Sequence, residues 1–254
     1  MYLLIYGQTF LNYGIFKAQL FSCFIWQRSA IIEIVIRKME TGVNIMNNFI
    51  IARPGYPYLL GCGLITVVAY ITAPLLTPFF LLLTLFMGYF FRNPRRITPP
   101  GNNLVLSPAD GRVMKVERVY EPYFIKGEAL KVSIFLSLFN VHVNRAPFGG
   151  QISFRHHIAG KYLAAFKEEA SVENERNLIG LETACGKMLL VQVAGFVARR
   201  IVCWINPDDS VGPGTRVGMI KFGSCTELYL PLDVCITVRE GEKVIGGETV
   251  LGQF

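Results

Sequence analysis

A glycine followed by a serine, at residues 223 and 224, is the step at which this chain could do chemistry on its own backbone. It lies between two strand-like runs, Arg216 to Phe222 and Glu227 to Leu230. A serine hydroxyl at such a bend can attack the preceding carbonyl carbon, and glycine, which has no Cβ, tolerates the strained dihedrals that this approach requires. The step is therefore a place where the main chain could be cut by its own side chain. A plain glycine turn between two strands is the alternative.

Two ionisable residues, Asp110 and His142, stand out by their context. In the run from Phe139 to Pro147, alternation places His142 on one face of a strand with the asparagines at positions 140 and 144, opposite two valines. A polar face on such a hydrophobic strand indicates either a functional site or a solvated surface. Asp110 lies in a Pro-Ala-Asp-Gly turn, where an aspartate commonly caps its own backbone. For both residues a catalytic role and a structural role stay open at this level.

The elements that carry these residues begin with an apolar segment. Hydrophobic residues make up 52% of the 254 residues, and the mean hydropathy of +0.40 is high for a soluble domain. No charged residue occurs from Pro54 to Phe91. One helix of that length would be about 57 Å long, nearly twice the roughly 30 Å hydrocarbon core of a bilayer. Pro74 and Pro78 therefore predict a break, and residues 51–92 are interpreted as a helical hairpin that is either transmembrane or re-entrant.

Basic residues flank this hairpin on both sides, with Arg53 before it and Arg92, Arg95 and Arg96 after it. The positive-inside tendency then places both ends in the cytoplasm. We therefore predict a cell-membrane protein whose catalytic domain lies on the cytoplasmic side. The net charge of +7 fits anionic lipid headgroups as partners.

Several other classes of partner and cofactor are not expected. No basic helix with interleaved aromatic residues supports nucleic-acid binding. The six cysteines and three histidines show no Cys-x-x-Cys pair or other regular ligand spacing, so no metal site is predicted. Scattered free thiols agree with a reducing cytoplasm.

Three regions complete the domain prediction. Residues 1–50 are apolar but interrupted by charges, and we interpret them as an N-terminal extension ahead of a true start at Met39 or Met46, with an interfacial helix or a weak extra span as alternatives. Turn-forming residues at 93–103 predict a linker. Residues 104–254, which carry the candidate catalytic residues, predict a mainly β domain, a compact sandwich or barrel, because short runs of branched residues alternate with turn residues. The predicted strands are Val113 to Val119, Lys131 to Leu136, Phe139 to Arg145, Met188 to Val193, Val197 to Trp204, Arg216 to Phe222, Glu227 to Leu230, Val234 to Val238 and Thr249 to Leu251, with one helix at Tyr162 to Ala170.

Four short motifs taken together resemble the phosphatidylserine decarboxylase proenzyme family in its short, pyruvoyl-dependent form. They are Ser-Pro-Ala-Asp-Gly at 107–111, Asn-Val-His-Val-Asn-Arg at 140–145, Asn-Glu-Arg-Asn at 174–177 and Phe-Gly-Ser at 222–224. The resemblance covers about residues 51–254, in the order that the family has, and leaves out the beginning of the chain.

The resemblance implies that the proenzyme cleaves itself between Gly223 and Ser224, giving a β chain of residues 1–223 and an α chain of residues 224–254. Ser224 becomes a covalent pyruvoyl group at the new N-terminus. Its hydroxyl needs a base, commonly a histidine with an aspartate behind it, and Asp110 matches the aspartate of the family.

The histidine of this set is His142. Longer relatives have a His-x-x-His pair in this region; His142 matches the first histidine, and Arg145 stands where the second would be. His142 is therefore expected to serve both cleavage and decarboxylation. The alternative is that His156 or His157 supplies one of the two steps.

The implied activity converts phosphatidylserine to phosphatidylethanolamine and CO2 at the membrane. A pyruvoyl ketone takes the place that pyridoxal phosphate has in other decarboxylases, so neither pyridoxal phosphate nor a metal is expected. Arg145, Lys221 and Arg176 are candidates for binding the lipid phosphate. One alternative is the same chemistry on another phosphoserine lipid, such as archaetidylserine. An alternative of another class is a non-catalytic, membrane-tethered β-sandwich binding module, and a homo-oligomer stays open.

Overall fold

The computed structural model describes residues 50–101, 103–163, 173–195, 200–221 and 224–254. All of them fall in the second of two units of the chain, Phe49–Phe254. All but the last residue of the predicted N-terminal extension, most of the predicted helix Tyr162 to Ala170, and Gly223 lie outside the described residues.

Two apolar helices begin the described part of the chain. Helix α1 spans Tyr56–Thr72 and helix α2 spans Thr77–Phe90, with short 3-10 turns at Arg53–Gly55 and Pro74–Leu76. Pro74 opens the turn between the helices, and Pro78 lies in the first turn of α2, where the missing N–H removes no helical hydrogen bond. The pair of helices predicted from the apolar run is confirmed.

The two helices return the chain to its starting point. The hydroxyls of Thr66 and Thr84 are 3.0 Å apart across the pair, and Ile51 forms an antiparallel bridge with Arg92. The segment Arg53–Thr72 is long and apolar enough to cross a membrane, and only 11% of its most apolar stretch is buried. Many large apolar side chains of the two helices are exposed, which suits contact with lipid.

The rest of the described chain is built of short strands, which confirms the mainly β fold class. Their bounds are β1 Leu104–Leu106, β2 Gly111–Glu121, β3 Gly127–Leu136, β4 Val143–Arg145, β5 Gly150–Ile158, β6 Arg176–Thr183, β7 Gly186–Val193, β8 Ile201–Cys203, β9 Ser210–Val211, β10 Arg216–Ile220, β11 Ser224–Leu230, β12 Cys235–Ile236, β13 Lys243–Val244 and β14 Val250–Gln253.

The described strands form three antiparallel sheets. The largest has the order β13-β2-β3-β11-β7-β6-β5-β9, and the two smaller sheets have the orders β1-β14-β12 and β4-β10-β8. Strand β11 is therefore internal, with β3 on one side and β7 on the other. The main core, which includes Leu228 and Leu230 of β11, lies between the large sheet and the smaller ones. A second cluster, which includes Cys225, covers the opposite face of the large sheet.

The structure differs from the sequence prediction at several strands. Strands β5 and β6 were not predicted, and β6 contains a glycine, which argues against a strand interior. A Cβ at Gly180 would lie 2.8 Å from Cβ of Phe154 and 2.9 Å from the Phe124 ring, so only a glycine leaves room for these two side chains. The predicted strand Phe139 to Arg145 is shorter, because Asn140 Oδ1 accepts hydrogen bonds from the N–H and hydroxyl of Ser137 and closes a turn.

Candidate active site

Ser224 opens the internal strand β11 with its side chain fully buried. Among the described residues, its Oγ has no hydrogen-bond partner. Because nearly all buried polar groups are hydrogen-bonded, an unsatisfied one calls for an explanation, and a catalytic role is one. Alternation along β11 places Ser224 on the same face as Thr226, whose Oγ1 contacts Asn144 of β4. The hydroxyl therefore faces the smaller sheet that carries the histidine motif.

The neighbouring thiol of Cys225 points the other way. Its side chain belongs to the second cluster, on the opposite face of the large sheet. Burial, reinforced by the charge of Glu227, raises the pKa of Cys225 far above its usual value. The thiol is therefore protonated and turned away from the face that carries Ser224, which leaves the serine hydroxyl as the candidate nucleophile on that face.

His142 immediately precedes β4 and is fully buried. The N–H of Ile220 donates to its carbonyl oxygen at 3.2 Å, and two residues later Asn144 contacts Thr226. The first contact places the backbone of His142 beside Ile220, the last residue of β10 and four residues before Ser224, and the second joins β4 to β11. The ring nitrogen Nδ1 is 3.0 Å from the carbonyl oxygen of Asn140. Because a carbonyl can only accept, Nδ1 carries the hydrogen and Nε2 is the nitrogen that can take up a proton.

The end of helix α2 forms one wall of the histidine site. The rings of Phe90 and His142 have centroids 4.3 Å apart at an interplanar angle of 35°, and both side chains are fully buried. Burial lowers the pKa of His142 to about 4, the hydrogen bond to Asn140 opposes this shift, and the charge of Arg92 adds to it. The imidazole is thus neutral at physiological pH, as a general base must be.

In the described part of the chain, the carboxylate of Asp110 is hydrogen-bonded to an arginine and to a backbone N–H, and not to His142. Its Oδ2 accepts a hydrogen bond from Arg96 Nη2 at 2.6 Å, and its Oδ1 accepts from the backbone N–H of Gly246 at 2.9 Å. Burial raises the pKa of Asp110, although the charge of Arg96 opposes the shift. Within the described residues no hydrogen bond joins Asp110 to His142, whose Nδ1 instead faces a backbone carbonyl. The three side chains of the Asp–His–Ser set are therefore not linked in a hydrogen-bonded relay in this structure.

A buried chain of hydrogen-bonded side chains connects four strands next to Ser224, and the sequence analysis had named two of its members, Asn144 and Asn177, without linking them. Asn177 Nδ2 donates to Gln192 Oε1 at 2.8 Å, Gln192 Nε2 donates to Asn144 Oδ1 at 2.8 Å, and Asn144 Nδ2 donates to Thr226 Oγ1 at 2.9 Å. All four side chains are at most 3% exposed. The chain links β6, β7 and β11 of the large sheet to β4 of the smaller one. A glutamine inside the apolar run of β7 was the signal in the sequence that could have found it.

The amide chain predicts a specific effect of Thr226. Thr226→Val keeps the shape of the side chain but leaves the Asn144 amide without its acceptor, so β11 and β4 lose the contact that sets Ser224 against the histidine motif. We expect self-cleavage to slow about 10- to 100-fold, as displacements of about 1 Å commonly do in catalytic sites. The measurement is a time course of cleavage on denaturing gels after synthesis. Thr226→Ser, which retains the hydroxyl, should cleave close to the wild-type rate, and equal rates for the two variants would contradict the assignment.

The three candidates for phosphate binding occupy different positions. Arg145 is 5% exposed and donates from Nη1 to the carbonyl of Gly214 and from Nη2 to that of Pro94, at 2.9 Å each. It therefore fastens the segment before β1 to the domain. Arg176 lines a cavity of about 290 Å³ with Leu178 and other residues of the second cluster. That cavity lies on the face of the large sheet opposite to Ser224, so the structure does not bring Arg176 and Ser224 together.

Lys221 is the candidate that lies beside the site. It is 9% exposed, three residues before Ser224, and its Nζ is 5.2 Å from the ring centroid of Tyr58 in α1. Its position between the hairpin and the start of β11 fits a contact with a lipid headgroup.

The alternative histidines lie elsewhere. Both belong to β5, which is three strands from β11 in the large sheet, a separation of about 14 Å. His157 Nε2 is 3.1 Å from Glu175 Oε1, and the His157 side chain is 56% exposed. The structure thus places His142 beside the end of β10, four residues before Ser224, and places His156 and His157 on the distant strand β5.

Comparison with known proteins gives one consistent family. A family model described as phosphatidylserine decarboxylase matches residues 83–252. The chain is 48% identical over 203 residues to the phosphatidylserine decarboxylase proenzyme of Carboxydothermus hydrogenoformans, covering 80% of this chain and 95% of that protein. It is 45% identical over 206 residues to the proenzyme of the same name from Desulfotalea psychrophila, covering 80% and 96%, and 46% identical over 210 residues to that from Symbiobacterium thermophilum, covering 82% and 98%.

Proposed function

This chain belongs to the phosphatidylserine decarboxylase family, and we propose that it is a self-processing, pyruvoyl-dependent enzyme that converts phosphatidylserine to phosphatidylethanolamine and CO2 at the membrane. The observation that carries the proposal is the buried Ser224 Oγ, which has no hydrogen-bond partner among the described residues and opens an internal strand. A hydroxyl in this state keeps its lone pairs for an attack on the carbonyl before it. Ser224 thus fits the precursor of a pyruvoyl group.

Self-cleavage uses the residues of this face. Nε2 of His142 takes the proton of Ser224 Oγ, which attacks the carbonyl carbon of Gly223. The Gly223–Ser224 C–N bond breaks, the amine receives a proton, and an ester joins the two residues. Loss of the Cα proton of residue 224 expels the Gly223 carboxylate and leaves dehydroalanine. Water then replaces its nitrogen, ammonia leaves, and the α chain of residues 224–254 begins with a pyruvoyl group.

In the mature enzyme the pyruvoyl ketone supplies an electron sink for the carbon that loses CO2. The protein residues bind, orient and protonate. Lys221, close to Tyr58 of the hairpin, would pair with the lipid phosphate. Nε2 of His142 would take up a proton that the substrate amine releases, pass it to the substrate carbon and return to its neutral form, while the Phe90 ring excludes bulk water from that side.

Asp110 stays in the proposal because the family pattern includes it. It accepts hydrogen bonds from Arg96 and from the Gly246 N–H, so the Arg96 ion pair has to open before Asp110 can support a charged His142. In the closed arrangement Asp110 fixes the segment after the hairpin against the β domain. Arg145 acts in the same place through the carbonyl of Pro94.

Action at the membrane is supported by the hairpin. Moving the acyl chains of a diacyl lipid from the bilayer into water costs a large free energy, so a site that binds its headgroup has to lie at the membrane surface. The outward apolar side chains of α1 and α2 and the arginines beside them favour insertion from the cytoplasmic side. The hairpin would then hold the β domain against the lipid headgroups.

The test is to measure the mass of the purified protein by mass spectrometry and its decarboxylase activity by CO2 release. We expect a C-terminal fragment of residues 224–254 that begins with a pyruvoyl group, and release of CO2 from phosphatidylserine vesicles. An intact chain of 254 residues without CO2 release would favour the non-catalytic binding module. Equal rates on archaetidylserine vesicles would extend the substrate to other phosphoserine lipids.

A further inference from the structure

The turn between β3 and β4 exposes two large apolar side chains. Phe139 is 67% exposed and Leu138 is 37% exposed, at the tip of the turn that Asn140 closes onto Ser137. Single exposed apolar residues are ordinary on protein surfaces. This pair differs because of what holds it.

The tip is tied to the end of helix α2. The carbonyl oxygen of Phe139 accepts hydrogen bonds from Tyr89 Oη at 3.1 Å and from Arg92 Nη2 at 2.7 Å. The guanidinium of Arg92 also lies 3.8 Å from the centroid of the Tyr89 ring and donates to the Tyr89 carbonyl. The position of the tip relative to the hairpin is therefore set by two hydrogen bonds to the Phe139 carbonyl, from a tyrosine and an arginine that also contact each other.

The apolar surface of the hairpin continues to this tip. Outward side chains of α1 and α2 are largely exposed, among them Leu64, Ile71, Leu82 and Leu85, and Tyr89 at the end of α2 is 47% exposed. Tyrosine and arginine next to the end of an apolar helix mark the level at which hydrocarbon gives way to headgroups. Phe139 lies at the same level, because its carbonyl oxygen is hydrogen-bonded to both Tyr89 and Arg92.

We propose that the Leu138–Phe139 tip inserts into the same lipid leaflet as the hairpin, so that the β domain contacts an anionic bilayer at a second point. This rests on the proposed action at the membrane and adds the surface that performs it. Because His142 follows Phe139 by three residues, insertion places the histidine site at headgroup level. A phosphatidylserine headgroup then reaches the site while its acyl chains stay in the bilayer.

Tryptophan quenching tests insertion directly. The full chain has two tryptophans, so Phe139→Trp is made with Trp26→Phe and Trp204→Phe, in vesicles of phosphatidylserine and phosphatidylcholine that carry brominated acyl chains. We expect strong quenching at position 139. The matched control is Tyr120→Trp in the same background, because Tyr120 is 62% exposed and lines the cavity on the opposite face of the large sheet. Quenching at 139 no stronger than at 120 would overturn the proposal.

A comparison of activities on two forms of substrate tests the consequence. Phe139→Ser is expected to cleave itself normally and to decarboxylate a soluble short-chain phosphatidylserine at the wild-type rate. On vesicles its activity should fall about tenfold or more, since burial of a phenylalanine ring in hydrocarbon is worth at least that factor. Tyr120→Ser should lose nothing on either substrate, and equal loss of Phe139→Ser activity on both substrates would show a folding defect in place of lost insertion. If the wild-type chain neither cleaves itself nor releases CO2, the proposed function fails, while quenching at position 139 still reports on insertion.

Discussion

Ser224→Ala is expected to remain one chain of 254 residues and to have no decarboxylase activity. Without Oγ the ester cannot form, so the bond between residues 223 and 224 is not broken and no pyruvoyl group is made. The loss should be complete, because the same atom is needed for the cofactor and for the cleavage. Denaturing gels and the intact mass of the purified variant measure the first effect, and CO2 release from phosphatidylserine measures the second.

The matched control is Ser133→Ala. Ser133 is a buried serine of β3, 7% exposed, and pairs with Glu227 of β11 in the same sheet. Its removal perturbs the neighbouring strand without touching the Gly–Ser step, so normal cleavage is expected. A two-chain pattern for Ser224→Ala would exclude the chemistry proposed for residue 224.

His142→Ala is expected to slow self-cleavage by about 10²- to 10⁴-fold, the usual contribution of a general base. The pH dependence of the wild-type rate gives a second measure of the same group. Burial favours the neutral imidazole and lowers the pKa of His142 to about 4, so the base form is present throughout the neutral range. The rate of cleavage should be flat across neutral pH and decline only as the pH approaches about 4, where the imidazole becomes protonated.

His157→Ala serves as the control, since His157 lies on the distant strand β5, is exposed and is paired with Glu175. It should cleave at the wild-type rate. If His142→Ala matures normally but cannot decarboxylate, His142 acts only in the second step and the base for cleavage lies elsewhere. A rate that already declines with an apparent pKa near 6.5 would contradict the buried state of the ring.

The contact between Phe90 and His142 gives the hairpin a part in the candidate site as well as in the proposed membrane anchoring. Phe90 is the last residue of α2, and its ring desolvates the imidazole from the side of the hairpin. The neighbouring Phe91 ring stacks on Tyr58 with centroids 5.1 Å apart, which fixes the end of α2 against the start of α1. The geometry of the histidine site therefore depends on the two helices being packed together.

Local patterns in the sequence were sufficient for the architecture. An uncharged run broken by Pro74 and Pro78 predicts two helices, and short branched runs between turn residues predict a mainly β domain. Both signals are carried by residues close together in the chain, so they can be read without knowing the fold. The strand β6 escaped this reading because Gly180 is required by the rings of Phe124 and Phe154, which approach it from elsewhere in the chain.

The sequence by itself determined the candidate chemistry, a Gly–Ser step with a histidine and an aspartate in family motifs, because these are residue types at short spacings. Only the tertiary structure decided which side chains meet. In the fold Asp110 forms an ion pair with Arg96, and Arg145 donates hydrogen bonds to the carbonyls of Gly214 and Pro94. Asn144 donates a hydrogen bond to Thr226. Hydrogen bonds between residues distant in sequence, such as Asn144 and Thr226, depend on strand order and register, which no local pattern contains.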